Sequence, residues 1–174
     1  MKIPNQIFLM SWILSVSLGT LPALAQFKDD SEAPIEITAD SMEWLNDERI
    51  AIARGNADAV QGSYTLSAKV LTAHMAETSA ADSDAPTRIR RIDAKGNVVL
   101  TTPKETARGA TGTYDLEKKT AVLVGSVVLT QGDNVLHGQR LVMDLTTGRS
   151  RLGGTSSEND GRVRAIFSPS QGRQ

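Results

Sequence analysis

An all-β fold, an open antiparallel sheet built from stacked repeats and folded over an apolar interior, is what this sequence predicts. Three observations point there. The first is a recurring glycine frame: Gly55-Asn56-Ala57-Asp58-Ala59, Gly96-Asn97-Val98-Val99-Leu100 and Gly125-Ser126-Val127-Val128-Leu129 each set apolar residues two and four positions after the glycine. A small residue (Ala68, Gly109, Gly138) follows thirteen positions after each glycine, and units starting at Ala39, Ala68, Gly109 and Gly138 are spaced by 29, 41 and 29 residues. Periods of this size mark supersecondary units that share one core because none can bury its apolar face alone. The second observation is period-2 alternation of apolar and polar residues along most of the chain, the pattern of half-buried strands. The third is that no window outside the N-terminal segment sustains a helical i, i+3, i+4, i+7 stripe, so helix content is expected to be very low.

The chain opens on a leader. Lys2 precedes an apolar run from Ile7 to Gly19, and Ala23-Leu24-Ala25 places small residues where a signal peptidase reads them, predicting cleavage of residues 1–25 before Gln26. The run is short for a bilayer-spanning helix, which needs about 20 apolar residues. The remainder, 26–174, is long enough for one domain with a sizeable core. Lys2 is the only basic residue of the leader among 19 in the chain, against 20 acidic ones, so the surface charge is nearly balanced. That balance argues against nucleic acid, which calls for a basic footprint. Cysteine is absent, so in an oxidising compartment stability must come from packing and strand pairing.

Ile35, Ile37 and Ala39 alternate with Glu36, Thr38 and Asp40 and predict the first strand. Asn46-Asp47 offers a turn before Ile50-Ala51-Ile52-Ala53. In the glycine-led segments, Ala57 and Ala59, Val98 and Leu100, and Val127 and Leu129 share one face, with Asn56 and Asp58 on the other. Apolar parity then switches within each unit: Leu66 and Ala68 give way to Leu71 and Ala73, Ile37 and Ala39 to Met42 and Trp44, Leu136 and Gly138 to Leu141 and Met143. A one-residue slip sends every later side chain to the wrong face, so a bulge or bend is expected near Lys69-Val70 and its equivalents. Asp115-Leu116 before Glu117-Lys118-Lys119, and Asp144-Leu145 before Thr146-Thr147-Gly148, read as hairpins. Ala76 to Pro86 has the composition of an exposed, dispensable loop, and Thr155 to Gly161 is a second polar break. Arg162-Val163-Arg164-Ala165-Ile166-Phe167 restores alternation until Pro169.

The alternating positions Ile35, Ile37, Ala57, Ala59, Val98, Leu100, Val127, Leu129, Leu141 and Met143 are the candidate lining of the shared interior. The outermost strands, with Ile35, Glu36, Ile37 and Thr38 at one end and Val163, Arg164, Ala165 and Ile166 at the other, are the candidate edges for partner strands, since an unpaired edge exposes backbone donors and acceptors.

Chemistry for catalysis is sparse. His74 and His137 are the only histidines and lack the spacing of a local metal pair, so no metal or other cofactor is expected. There is no nucleophile elbow, and the glycines belong to a β-repeat, not to a phosphate loop opening a helix. Asp115 and Asp144 occupy equivalent repeat positions, where flanking a hairpin explains them better than a catalytic pair. Arg88, Arg90, Arg91, Arg162 and Arg164 could meet anionic groups, but alternating arginines also keep strand faces soluble.

Pro34-Ile35-Glu36-Ile37-Thr38-Ala39-Asp40, the Gly-Asn-Val-type strand openings and the closing Arg162-Val163…Pro169-Ser170-Gln171 together resemble the OstA-like lipopolysaccharide-transport family of the periplasm. The resemblance implies an open, V-shaped antiparallel β-jellyroll over residues 26–174 whose groove carries lipid acyl chains. It also implies a non-enzymatic lipopolysaccharide-binding bridge that stacks head to tail and joins LptC-like to LptD-like proteins between the inner and outer membranes. Energy must then come from a partner, since the chain has no nucleotide-binding signature. The Ala/Ser/Asp-rich insertion and the scarcity of aromatics depart from the family pattern. Three other readings stand beside this one: a membrane-anchored LptC-like relative keeping its N-terminal segment, a periplasmic β-strand adaptor without lipid cargo, and a β-fold enzyme acting on envelope glycans.

Overall fold

The computed structural model describes residues 33–76, 88–154 and 162–168. They form ten strands: β1 (Ile35–Thr38), β2 (Ser41–Leu45), β3 (Ile50–Gln61), β4 (Tyr64–Met75), β5 (Ile89–Thr101), β6 (Thr106–Asp115), β7 (Thr120–Gln131), β8 (Asn134–Asp144), β9 (Arg149–Gly153) and β10 (Arg164–Ile166). No helix occurs among the described residues. The leader, the insertion beyond Ala76 and the break from Thr155 to Gly161 lie outside them. The base of the insertion is pinned, since the Ala76 N–H donates to the Arg88 carbonyl at 2.7 Å.

Strands β3 to β8 form an antiparallel meander in chain order. Short strands cap it at both ends: β1 and β2 pair with different halves of β3, and β9 and β10 with different halves of β8. The two ends do not pair with each other among the described residues, so the sheet stays open and is not a barrel.

Every long strand is broken at the same level. Between β3 and β4 the register runs Arg54↔Val70 and resumes at Ala57↔Ala68, so Gly55 and Asn56 stand opposite the single residue Lys69. Gly96-Asn97 repeats this against Ala110, and Gly125-Ser126 against Gln139. All six bulge residues have positive φ: 77° and 42° at Gly55-Asn56, 81° and 51° at Gly96-Asn97, 88° and 47° at Gly125-Ser126. Glycine enters that region without penalty and asparagine at little cost, which is why the frame reads Gly-Asn. The register shift falls at Lys69-Val70, where parity switches, but the extra residue sits on the facing glycine strand. Strand β3 therefore keeps its parity while β4 changes.

The bulges divide the sheet into two leaves. The first holds β2, β9 and the halves Ile50 to Arg54, Val70 to Met75 and their equivalents. The second holds β1, β10 and the halves Ala57 to Gln61, Tyr64 to Ala68 and theirs. Their inner faces meet in one core, whose largest fully buried side chains are Leu71, Ile92, Leu123 and Leu141 from the first leaf and Val98, Leu100 and Val127 from the second. This is the V-shaped antiparallel jellyroll. The turns are tied locally. The Asp115 carboxylate accepts the Lys118 N–H at 2.9 Å, and that of Asp144 accepts the Thr146 and Thr147 N–H groups at 2.9 and 3.1 Å.

Those contacts set a pH dependence. Asp115 is held below its ordinary carboxyl value chiefly by the Lys118 backbone N–H, and Asp144 chiefly by that of Thr147. A lowered folded-state pKa means that both turns contribute fully above the ordinary value of 3.8 and lose their contribution as pH falls from there through the lower folded values. Asp144→Asn keeps an acceptor oxygen but cannot titrate. It should narrow the difference between urea midpoints measured near neutral pH and in acid; an unchanged difference would remove Asp144 from the acid response.

Candidate functional site

Among the described residues, the buried apolar side chains gather in one cluster between the leaves. Eight of the ten candidate lining residues are buried: Ala57, Val98, Val127 and Leu141 are wholly inaccessible, and Ala59, Leu100, Leu129 and Met143 nearly so. Ile35 and Ile37 are partly buried and pack against this cluster from β1. The structure thus places all ten on one inner face. Leu71, Ile92, Leu123 and Tyr114 belong to the same surface and were not among the ten. For Leu71 the signal was the parity switch after Ala68. For Ile92 and Leu123 it lay in the strand halves preceding each glycine.

The bulk of the inner surface varies from strand to strand. The inward positions of β3 before and after its bulge are Ala51, Ala53, Ala57 and Ala59, all buried. Without bulk on this strand, β4 and β5 supply the filling through Leu66, Leu71, Ile92 and Leu100.

The leaves touch. A space of about 10 Å³ remains between them, lined by Ile35, Ala59, Leu66, Ile92 and the polar pair Gln61 and Tyr114. That is about the room of one water-sized sphere, so an acyl chain enters this interior only if the leaves part. Two polar ties hold them. The Tyr114 hydroxyl on the first leaf donates to Gln61 Oε1 on the second at 2.6 Å, and Gln61 Nε2 in turn donates to the Ala33 carbonyl at 3.1 Å. Nearer the other edge, Ser150 Oγ of β9 donates to Glu105 Oε1 in the β5–β6 turn at 2.5 Å. A cleft of about 180 Å³ opens between that turn and residues 145–148, with Met143 at its floor. Gln61 is the buried polar residue of this interior, 5% exposed. Tyr114→Phe should lower the unfolding free energy by about 1–3 kcal/mol, as expected when one member of a buried hydrogen bond is removed. Denaturant titration measures this, and a change within error would show that packing alone holds the leaves.

The outer faces carry the ionisable groups. Asp93 gathers His74 Nε2 at 2.9 Å, Arg91 Nη2 at 2.9 Å and the Thr113 hydroxyl, which donates at 2.9 Å. These residues lie on β4, β5 and β6 and tie three strands. Among the described residues, no three His, Asp or Glu side chains gather as they would around a metal ion, and no helix is long and apolar enough to cross a membrane.

Among the described residues, β1 and β10 lie at the two ends of the sheet. β1 pairs on one side with β3, Ile35 opposite Gln61 through Thr38 opposite Asp58. β10 pairs on one side with β8, Arg164 opposite His137 through Ile166 opposite Val135. The last strand is shorter than the alternation suggested, and Val163 lies just before it, exposed.

A family model described as "LptA/(LptD N-terminal domain) LPS transport protein" matches residues 36–149, from β1 to the start of β9, a span that holds all three bulges. The chain belongs to this lipopolysaccharide-transport family. An uncharacterized protein of Rhizobium meliloti (strain 1021) is 32% identical to it over 148 residues, 80% of each chain. The fold is shared with the crystal structure of LptH from Pseudomonas aeruginosa, described as the LptA homologous periplasmic component of the conserved lipopolysaccharide transport device. The TM-score is 0.69 at 20% identity, covering 80% of this chain and 99% of that one. The OstA-like, all-β transport architecture is therefore that of the family, whose members are transport proteins.

Proposed function

We propose that this protein is a periplasmic bridge component that carries lipopolysaccharide from the inner to the outer membrane without catalysis, sheltering the acyl chains between its two leaves. The carrying observation is the single inner surface that runs across both leaves and all six long strands, interrupted by one buried polar pair. Each acyl methylene exposed to water costs about 0.8 kcal/mol, so a multi-acylated lipid needs a continuous apolar path. Parting the leaves exposes inner surface, but an acyl chain inserted there covers it again. Little apolar burial is lost overall, and the polar cost falls on the Tyr114–Gln61 and Ser150–Glu105 ties. The headgroup stays outside, and direction comes from energy supplied by a partner. LptC-like and LptD-like proteins are the partners proposed for the β1 and β10 edges, with further copies of this chain between them.

The closeness of the leaves favours one other reading, a strand adaptor that never opens for lipid. A photoreactive side chain at Leu100 or Leu141, with Val99 as the outward control, separates the two in cells. Crosslinks to lipopolysaccharide from the inner positions and none from Val99 support carriage. Crosslinks only to protein from every position would leave the adaptor.

A further inference from the structure

The inward row of each glycine-led half-strand ends on a hydrogen-bonding side chain at the mouth between the leaves. Six positions after Gly55, Gly96 and Gly125 stand Gln61, Thr102 and Gln131, in phase with the inward residues before them. Gln61 is buried, with its amide engaged by Tyr114 and the Ala33 carbonyl. Thr102 is engaged by its own turn, where its hydroxyl donates to the Glu105 carbonyl and accepts the Glu105 N–H, both at 3.1 Å. Gln131 differs. Its amide has no hydrogen-bond partner among the described residues and stands exposed in the cleft of about 180 Å³.

That cleft has an apolar floor and a polar wall. Met143 and Leu145 form the floor, and Met143 belongs to the buried cluster between the leaves. On the wall, Glu105 accepts the Ser150 hydroxyl through Oε1 and keeps Oε2 without a partner among the described residues. The Lys104 ammonium makes no ion pair among the described residues. It lies 3.9 Å from where a Cβ at Gly148 would stand, so it reaches from one leaf toward the other. The second carboxylate, Asp144, is held by the Thr146 and Thr147 N–H groups of its own turn. Tyr64 is half-buried and lines both this cleft and the space of about 10 Å³ inside. It stands at the threshold between a wet side and an apolar one, the setting an amphipathic ring favours.

We propose that this cleft is a saccharide site, which seats the sugar next to the acyl chains of the cargo through Glu105, Gln131 and Lys104. The proposal rests on the carriage reading and adds where the headgroup is held. An apolar interior, then Tyr64, then a hydrogen-bonding cleft is the order of an acylated sugar, with its chains inside and its ring outside. Two carboxylates against one ammonium make the cleft a poor seat for a bare phosphate. Hydroxyls suit it, since a carboxylate accepts their protons, an ammonium donates to their oxygens and an amide does both. A few convergent polar groups over an apolar floor are also how small-molecule sites fix orientation. The cleft is open while the leaves touch, so the sugar docks before the chains enter.

Amide NMR on the chain from Gln26 tests it with deacylated lipopolysaccharide, which keeps the saccharide and lacks the chains. At about 1 mM, the range of a weak site, this probe should shift the amide signals of Lys104, Glu105, Gln131 and residues 146–148. The signals of Leu100 and Leu141 should stay in place, and inorganic phosphate at the same concentration should shift none of these. Glu105→Ala with Gln131→Ala should abolish the shifts. It should also weaken binding of intact lipopolysaccharide at least about tenfold, as expected when two hydrogen bonds, one of them to a charged group, are lost. Ser150→Ala breaks the same tie between the leaves but keeps the carboxylate, so it should bind the saccharide undiminished. The spectra themselves check that each variant folds. Shifts elsewhere, equal shifts with phosphate, undiminished binding by the double variant or lost binding by Ser150→Ala would each overturn the site. Lipopolysaccharide crosslinking from Leu100 is the independent measure. Its absence with the saccharide shifts present counts against acyl carriage alone, and its presence without those shifts counts against the saccharide site alone.

Discussion

Val98→Asp should unfold the protein or cost at least about 3 kcal/mol, whereas Val99→Asp, one residue on, should cost less than about 1 kcal/mol. Val98 is wholly inaccessible and lies at the bend, where its methyl carbon is 3.1 Å from the position a Cβ would take at Gly112 of the opposite leaf. A carboxylate there meets apolar walls from both leaves, with no donor placed to receive it. It must lose its hydration or its charge, and either is a large fraction of the 5–15 kcal/mol or so that stabilises a typical domain. Val99 faces outward, opposite Arg108 on β6, so an acid at 99 gains a complementary neighbour. The same pair of variants bears on the proposed carriage, under which the folded Val99→Asp protein retains lipopolysaccharide capture. Equal midpoints for the two in urea would mean that the inner face has been assigned to the wrong parity.

Gly125→Ala should cost about 2–4 kcal/mol, from two separable sources. The residue has φ of +88°, a conformation that costs an L side chain about 1–2 kcal/mol. Its new Cβ would also stand 2.8 Å from the Ala110 Cβ on the facing strand, closer than methyl carbons approach, and such overpacking adds about 1–3 kcal/mol. Ala110→Gly removes the clash and leaves the dihedral, so the double variant should recover part of the loss. Gly132→Ala supplies the contrast: its φ is +55°, but nothing lies within 4 Å of the added carbon. It should show the conformational cost alone, about 1–2 kcal/mol. If Gly125→Ala and Gly132→Ala cost the same, close approach of the strands at the bulge contributes nothing, and the glycine frame is a matter of dihedrals only.

That contrast shows where the sequence stops being readable. Period-2 alternation named the inward residues because successive side chains on a strand take opposite faces whatever the partner, so Val98, Leu100, Val127 and Leu129 follow from the chain alone. Parity switches located the bend at Lys69-Val70 for the same reason. The turn role of Asp115 and Asp144 was legible because such caps are made within three residues. Family membership was legible as well, since it resides in the order of such local motifs.

Only the tertiary structure decided what depends on distant residues meeting. The extra residue of each bulge falls on the glycine strand because two consecutive left-handed residues fit there, a fact of pairing between strands. Tyr114 meets Gln61 across 53 positions of chain, and no local pattern links a hydroxyl to an amide at that distance. The leaves close on Ala51, Ala53, Ala57 and Ala59 because β3 offers no bulk, which is visible in the sequence but has a consequence only once the opposite leaf is in place. Met42 and Trp44 keep inward parity yet remain exposed, because burial needs a neighbouring strand and, among the described residues, none lies beyond β2 in its leaf. Parity is a property of one strand and can be read from it; burial and closure are properties of what stands beside it.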